Sequence, residues 1–222
     1  MASLVMPTDL EKEAAITVAL ALYVLSVIFA TSLLYQIMTR RGISESSAKY
    51  YNRKIIHALG GGVVALLAPL LYSSPLFPLL ASILLSILLL AARRFRMMRW
   101  FQTEDNAYEV NFVLAWGASV FLLWNLLNDP MKAAVPALFI SFGDAVTGFV
   151  RNALFGRRTK HWTGNVAMGA VCIPIGFLFA GIGGAAAGLI ASITERFEYG
   201  PIDDNVLITL VSTLTLLLFE LL

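Results

Sequence analysis

An aspartate lies inside one of the apolar segments of this 222-residue chain. Asp144 belongs to the sequence Phe139-Ile-Ser-Phe-Gly-Asp144-Ala-Val-Thr-Gly148, which precedes the basic residue Arg151. An ionisable side chain within a membrane-spanning segment costs several kcal/mol to insert, so it is a candidate functional group. With a rise of about 1.5 Å per residue, Asp144 would lie roughly 10 Å below the boundary that Arg151 marks. The alternative is a purely structural ion pair with Arg151 or Lys160.

A histidine occupies a comparable position early in the chain. His57 follows Arg53 by four residues, in Arg53-Lys54-Ile-Ile-His57, and residues at this spacing share one face of a helix. A histidine packed in the bundle and hydrogen-bonded to a neighbour is the alternative to a catalytic role. The glycines 60–62 that follow favour close helix packing over a phosphate loop, because no glycine-rich loop pattern surrounds them.

Two carboxylates and a carboxamide precede the last apolar segment. Asp203, Asp204 and Asn205 offer hard oxygen ligands, which suit a Mg²⁺ ion that carries a nucleotide phosphate. The same three residues would also make a good helix N-cap, which is the alternative interpretation.

A basic, glycine-containing loop spans residues 152–165. Arg157, Arg158 and Lys160 lie between Gly156 and Gly164, and together with backbone donors they could hold a polyphosphate. A loop that contacts lipid headgroups through its positive charge explains Arg157 and Arg158 equally well, but it explains the stretch from Lys160 to Gly164 less well.

The composition determines which elements must position these groups. Hydrophobic residues make up 59% of the chain and charged residues 14%, against about 45–50% and about 25% in ordinary soluble domains. This excludes a soluble enzyme, a disordered chain and a nucleic-acid binder. The sequence predicts an all-α integral membrane protein, a single domain over residues 1–222 with a polytopic bundle of seven to eight transmembrane helices. The expected segments are Ala14–Met38, Ile55–Leu71, Leu76–Ala92, Val110–Leu127, Ala133–Val150, Val166–Ile182, the short Gly184–Ile193 and Val206–Leu222. Because the seventh is too short to span alone, the alternative is seven helices with a broken or re-entrant piece.

The basic residues predict the orientation. Of the 16 lysines and arginines, 14 fall in the loops after the first, third, fifth and seventh segments. Because basic loops stay in the cytoplasm, all four polar groups should meet at the cytoplasmic face of a multi-pass membrane protein. A buried acid, a cluster of hard ligands and a basic loop on one face describe a site for metal-assisted phosphoryl transfer.

In these residues the chain resembles the CTP-dependent polyprenol and lipid kinases, which include dolichol kinase, phytol kinase and the yeast-type diacylglycerol kinase. The matching motifs are Arg53-Lys54-Ile-Ile-His57, Gly143-Asp144-Ala145, Gly156-Arg157-Arg158-Thr-Lys160 and Asp203-Asp204-Asn205, in that order. The stretch Glu104-Asp105-Asn106 is also similar to the family. The resemblance covers the chain from about Arg53 to its last residue.

The resemblance implies a role for each of these residues. Asp144, His57 and Lys160 would be catalytic, and Asp144 would hold Mg²⁺ with Asp203 or Asp204. The nucleotide, CTP in this family, would be bound by Arg53, Lys54, Gly156, Arg157, Arg158, Lys160, Gly164 and Asn205. After the loop lysine the family usually has Ser-x-Glu-Gly, whereas this chain has His161-Trp162-Thr163-Gly164. Either Glu195 or another acid replaces the missing glutamate, or the activity and the choice of nucleotide differ.

The expected function is therefore a membrane lipid kinase that transfers the γ-phosphate of a nucleoside triphosphate to the hydroxyl of a polyprenol or related lipid alcohol. Either Asp144 or His57 would take the hydroxyl proton. The alternatives are a diacylglycerol kinase, a CDP-lipid synthase that releases pyrophosphate, and, from another class, a transporter with Asp144 at a coupling-ion site. The sequence has no inverted repeat of the kind that many transporters show.

Overall fold

The computed structural model describes residues 4–104, 106–156 and 159–221. These residues form nine α-helices and two π-helical segments, and no strand longer than an isolated bridge between Tyr199 and Ile202. The α-helices are α1 (Leu10–Arg40), α2 (Glu45–Ile55), α3 (Val63–Leu71), α4 (Leu76–Arg94), α5 (Tyr108–Leu127), α6 (Pro130–Leu138), α7 (Asp144–Phe155), α8 (Trp162–Thr194) and α9 (Asp204–Leu221). The first π-helical segment, Ile56–Gly62, joins α2 to α3, and the second, Phe139–Gly143, joins α6 to α7.

Seven continuous helices of the described chain are long and apolar enough to cross a membrane. Two of them are composite, because α2 and α3 form one helix through the first π segment, and α6 and α7 form one helix through the second. The composite helix Pro130–Phe155 lies at the centre of the bundle, where most of its side chains are buried. The predicted all-α, multi-pass membrane fold is thereby confirmed.

The longest of these helices, α8, reverses direction within its length. Ala180 (φ −144°, ψ 20°) and Gly181 (φ 59°, ψ −143°) leave the helical region, and the positive φ favours glycine. The side-chain amide of Asn165 donates to the carbonyl of Ser192, and Gly188 lies against the backbone of Cys172. These contacts require that the arms 162–179 and 182–194 run antiparallel. The predicted sixth and seventh segments are therefore the two arms of one helical hairpin.

The two ends of the bundle differ chemically. At one end, Lys132 pairs with Glu220, and Asn125 accepts a hydrogen bond from the backbone of Val5, so both described ends of the chain lie there. The loops that carry most of the basic residues lie at the opposite end, which we call the basic end. It comprises the connections α1–α2, α4–α5, α7–α8 and α8–α9.

Candidate active site

The two π-helical segments contact each other near the basic end, and each presents one of the predicted site residues. His57 lies within the first segment, and Asp144 begins the helix after the second. A side chain at Gly61 would collide with the ring of Phe112, and one at Gly62 with the ring of Phe142. These glycines therefore serve close packing, as the sequence favoured. π-Helical turns in proteins are frequently found at functional sites.

Asp144 is held by two side chains of the first composite helix. Its Oδ1 accepts from Lys54 Nζ at 2.5 Å, and its Oδ2 lies 2.9 Å from His57 Nδ1. Only 1% of the Asp144 surface is exposed, and both partners are buried. The imidazole of His57 stacks on Phe112, with 3.9 Å between ring centroids and 12° between planes. The partner of Asp144 is thus Lys54, whereas the sequence had offered Arg151 or Lys160.

Three carboxylates converge at this point. Asp144, Glu195 and Asp204 are all buried, and each offers an oxygen within 4.8 Å of the others. Carboxylate oxygens are the ligands that Mg²⁺ takes from proteins, so this donor set fits the expected ion. Glu195 enters the cluster because the α8 hairpin returns the chain to the basic end.

Asp203 has a different role from its neighbour. Its Oδ1 accepts from the backbone of Val206, and its Oδ2 accepts from the side-chain amide of Asn205, which together cap the start of α9. Burial, together with the charge of Asp204, raises the pKa of Asp203 to about 6. The structure thus separates the two adjacent aspartates that the sequence grouped as metal ligands, with Asp204 in the cluster and Asp203 in the cap.

Lys160 and Arg151 neutralise the other two carboxylates. Lys160 Nζ lies 2.7 Å from Asp204 Oδ2, and Arg151 Nη1 lies 2.7 Å from Glu195 Oε1. Burial acts to lower the pKa of Lys160, but the carboxylates of Asp204 and Glu195 outweigh it and raise that pKa above its usual value. Burial raises the pKa of Glu195 against the opposing effect of Lys160. Gly164 packs directly against Arg151, whose guanidinium occupies the place of a side chain there.

These groups line a small polar pocket. Among its lining residues, Arg53 Nη1, Thr159 Oγ1 and Asn205 Oδ1 have no hydrogen-bond partner in the described part of the chain. Unpaired buried polar atoms are costly, so they indicate a missing partner such as water or a ligand. The free space is about 10 Å³, about enough for one water. A group larger than a water molecule can therefore enter only if the lining side chains move.

The remaining predicted residues lie less centrally. Gly156 ends α7 with a φ of 64°, and it is not among the described residues that line the pocket. Arg157 and Arg158 lie outside the described residues. Arg53 lies in the pocket wall beside the ring of Tyr108, with 4.4 Å from its guanidinium carbon to the ring centroid.

Two further residues of this region, one aromatic and one acidic, were not predicted from the sequence. Tyr50 lines the pocket and lies 5.2 Å from the ammonium group of Lys54, measured to the ring centroid. Glu109 is buried in the first turn of α5, where Arg93 Nη1 lies 3.3 Å from its Oε1. An acid so close to an apolar run carries the same signal as Asp144, so the sequence contained the information to find it.

A second, apolar cavity adjoins the polar pocket. It has a volume of about 290 Å³ and lies between α1, the first π segment, α4 and α5. Arg53 and His57 line both cavities. The two side chains therefore separate a charged compartment at the basic end from an apolar compartment within the bundle.

Comparison of the chain with models of known protein families, with curated protein sequences and with solved structures finds no match.

Proposed function

We propose that this protein is an integral membrane lipid kinase, which transfers the γ-phosphate of CTP or another nucleoside triphosphate to the hydroxyl of a polyprenol or related lipid alcohol. The observation that carries the proposal is the position of His57. It is bonded to the buried carboxylate of Asp144 and lines both the charged pocket and the apolar cavity. A reaction between a polar phosphate donor and a lipid acceptor requires such a boundary.

The cations would bind the phosphates. Arg53, Lys54, Arg151 and Lys160 surround the carboxylate cluster, and at least one nitrogen, Arg53 Nη1, lacks a partner among the described residues. Arginine and lysine stabilise the charge that phosphoryl transfer develops, and positioning with charge neutralisation accounts for most of its catalysis. Asp144, Glu195 and Asp204 would hold Mg²⁺, which would supply further neutralisation of the phosphate oxygens.

His57 is the better candidate for the base. Both oxygens of Asp144 are engaged, one by Lys54 and the other by His57. If His57 donates its Nδ1 proton to Asp144, the other ring nitrogen can accept the proton of the lipid hydroxyl as the oxygen attacks phosphorus. Asp144 would then orient the ring and stabilise the imidazolium ion, as the third member of a catalytic triad does.

The basic end of the bundle would face the cytoplasm, where nucleoside triphosphates are available. The excess of lysine and arginine in its loops supports this orientation.

A product analysis tests the proposal. The purified protein is incubated with Mg²⁺, a panel of prenols or diacylglycerol, and CTP or ATP labelled at either the α- or the γ-phosphate. We expect label from the γ-phosphate in a lipid monophosphate, none from the α-phosphate, and none with Asp144→Asn; Cys172→Ala is an active control. Transfer of the α-phosphate with release of pyrophosphate would instead identify a CDP-lipid synthase. Absence of any labelled lipid, together with ion-dependent uptake by liposomes, would identify a transporter.

A further inference from the structure

The apolar cavity has the dimensions of a site for part of one hydrocarbon chain. Its wall on α1 runs from Thr17 to Ile28, a rise of about 16 Å at about 1.5 Å per residue. A cavity of about 150 Å³ holds one benzene molecule. The volume of about 290 Å³ found here is roughly twice that, so it accommodates about a dozen carbon atoms.

The cavity is accessible from the lipid side between α1 and α4. Residues of both helices line it while also being exposed on the outer surface, with 59% exposure at Val18 on α1 and 59% at Leu84 on α4. A hydrocarbon chain that is longer than the cavity can therefore leave through this side and continue in the bilayer.

The end of the cavity near the π segment is polar. Glu109 and Arg53 both line it, and both are more than nine-tenths buried. Glu109 Oε2 and Arg53 Nη1 have no hydrogen-bond partner among the described residues, although Arg93 holds the other oxygen of Glu109. A hydroxyl group is a donor, so the hydroxyl of a bound alcohol could satisfy the free carboxylate oxygen of Glu109.

We propose that this cavity binds a single-chain lipid alcohol taken from the bilayer between α1 and α4, and that Glu109 Oε2 accepts the hydrogen bond of its hydroxyl before nucleotide binds. The inference deepens the proposed kinase function, on which it rests for the fate of that hydroxyl: His57 lies in the same wall and would accept the proton in its place during transfer. Two acyl chains do not fit side by side, because about a dozen carbon atoms fill the space, so a single-chain alcohol should bind in preference to diacylglycerol. Glu109 would then select lipids that carry a hydroxyl group, and it lies outside the four motifs that the chain shares with the lipid kinases.

Photolabelling without nucleotide tests the occupant. The purified protein in nanodiscs is incubated with a geranylgeraniol analogue whose tail carries a diazirine, irradiated, and mapped by mass spectrometry of its peptides. We expect labelling of the α1, α4 and α5 walls, at least fivefold reduced by excess geranylgeraniol and less than twofold by the same amount of diacylglycerol. Labelling spread evenly over the lipid-facing surface, or equal competition by diacylglycerol, would overturn the proposal.

Two substitutions that fill the cavity provide the structural control. Ala21→Phe on α1 and Ala81→Phe on α4 introduce a ring into the lining, whereas Ala19→Phe places the same ring on the exposed surface of α1 outside it. We expect at least fivefold less labelling in either cavity variant and unchanged labelling in Ala19→Phe. Equal labelling in all three folded variants would show that the alcohol binds elsewhere.

A second pair of variants separates recognition by Glu109 from its ion pair. Glu109→Met and Arg93→Met both remove the pair with Arg93, but only the first removes the free acceptor oxygen. We expect the geranylgeraniol concentration that halves labelling to rise about tenfold or more in Glu109→Met and less than threefold in Arg93→Met. Similar changes in both would assign Glu109 to the ion pair alone. The labelling assays contain no nucleotide, so they are independent of the product analysis that tests the kinase function. Specific labelling without phosphoryl transfer in that product analysis would refute only the kinase function. Phosphoryl transfer with unspecific labelling would refute only the cavity as the binding site.

Discussion

Asp144 is the residue whose substitution tests the candidate site most directly. The change Asp144→Asn preserves the size of the side chain and removes its charge. Lys54, of which 6% is exposed, would then be a buried cation without its closest partner. Removing one partner of a buried ion pair costs about 3–5 kcal/mol. Asp204 also acts on Lys54 electrostatically, so we expect the lower end of this range, about 3 kcal/mol.

This cost is measurable as a shift in thermal unfolding. For a chain of this length, about 1 kcal/mol corresponds to about 2–4 °C in Tm, so the Asn variant should unfold about 6–12 °C below the wild type. Replacing the lysine as well should restore most of that loss, because the double variant Asp144→Asn/Lys54→Met removes both charges of this pair. These proteins and the single variant Lys54→Met form a double-mutant cycle. Differential scanning fluorimetry of all four in one detergent measures it.

The same four proteins distinguish a structural Asp144 from a catalytic one. Lys54→Met alone should retain measurable phosphoryl transfer with a raised KM for the nucleotide, because Arg53, Arg151 and Lys160 remain. The double variant should be at least about a hundredfold slower than Lys54→Met, since it lacks the charge that orients His57. Equal activities of Lys54→Met and the double variant would refute this reasoning, and Asp144 would then be only the counterion of Lys54.

Further outcomes concern the surrounding residues. Lys160→Ala should lower kcat/KM for the nucleotide more than tenfold and Arg158→Ala less, because Lys160 contacts two of the clustered carboxylates. Steady-state kinetics measure this order, and the reverse order would move the phosphate site to the arginines. Asp204→Asn should raise the Mg²⁺ requirement of transfer, whereas Asp203→Ala should mainly lower stability by about 1 kcal/mol, the typical value of a lost cap. Equal, mild losses in both variants would argue against a metal at Asp204. Because the pKa of Asp203 is raised to about 6 in the fold against about 3.9 when unfolded, the folded state binds more protons between these values. Stability should therefore fall as the pH rises from about 4 to about 6, and thermal unfolding of Asp203→Asn should lack this slope. In a Cys172→Ala background, single cysteines replacing Ile43 and Phe197 should react with a membrane-impermeant maleimide from the same side of the membrane. A cysteine replacing Met131 should react from the opposite side. Labelling of positions 43 and 197 from different sides would refute a site shared by these loops.

Much of the fold could be predicted because lipid solvent simplifies the problem. Every backbone group within the bilayer must be bonded internally, so apolar runs of sufficient length become helices. The boundaries at Leu71, Leu76 and Leu127 agree with the structure to the residue. The short run 184–193 was also predicted as a segment that returns the chain to the basic side, with a broken or re-entrant piece as the alternative, and the structure agrees with the return. The position of the reversal depends on the non-helical backbone at Ala180 and Gly181, where no proline or polar residue marks a turn.

The site could be predicted only as far as its residues are local in sequence. The motif around Lys54 and His57 contains two side chains three residues apart, a spacing that brings both to one helix face. The pairing of Lys54 with Asp144 joins positions 90 residues apart, and no pattern in a single sequence encodes it. Glu195 was considered only as a substitute for a missing glutamate, because its approach to Asp144 and Asp204 depends on packing between elements that are far apart in the sequence.

The π segments give a physical reason why the site lies at this depth of the bundle. At Gly61 the absence of a side chain lets the π-helical backbone lie directly against Phe112, and the same phenyl ring stacks on His57. This packing fixes the imidazole of His57 in the wall between the two compartments. The ring is bonded to the carboxylate of Asp144, and His57 also lines the apolar cavity. A regular helix would distribute such residues over successive turns, whereas a wider turn concentrates them at one level. In the proposed kinase, the group that acts on both a phosphate from water and a hydroxyl from lipid would need this position, and the irregular helix provides it.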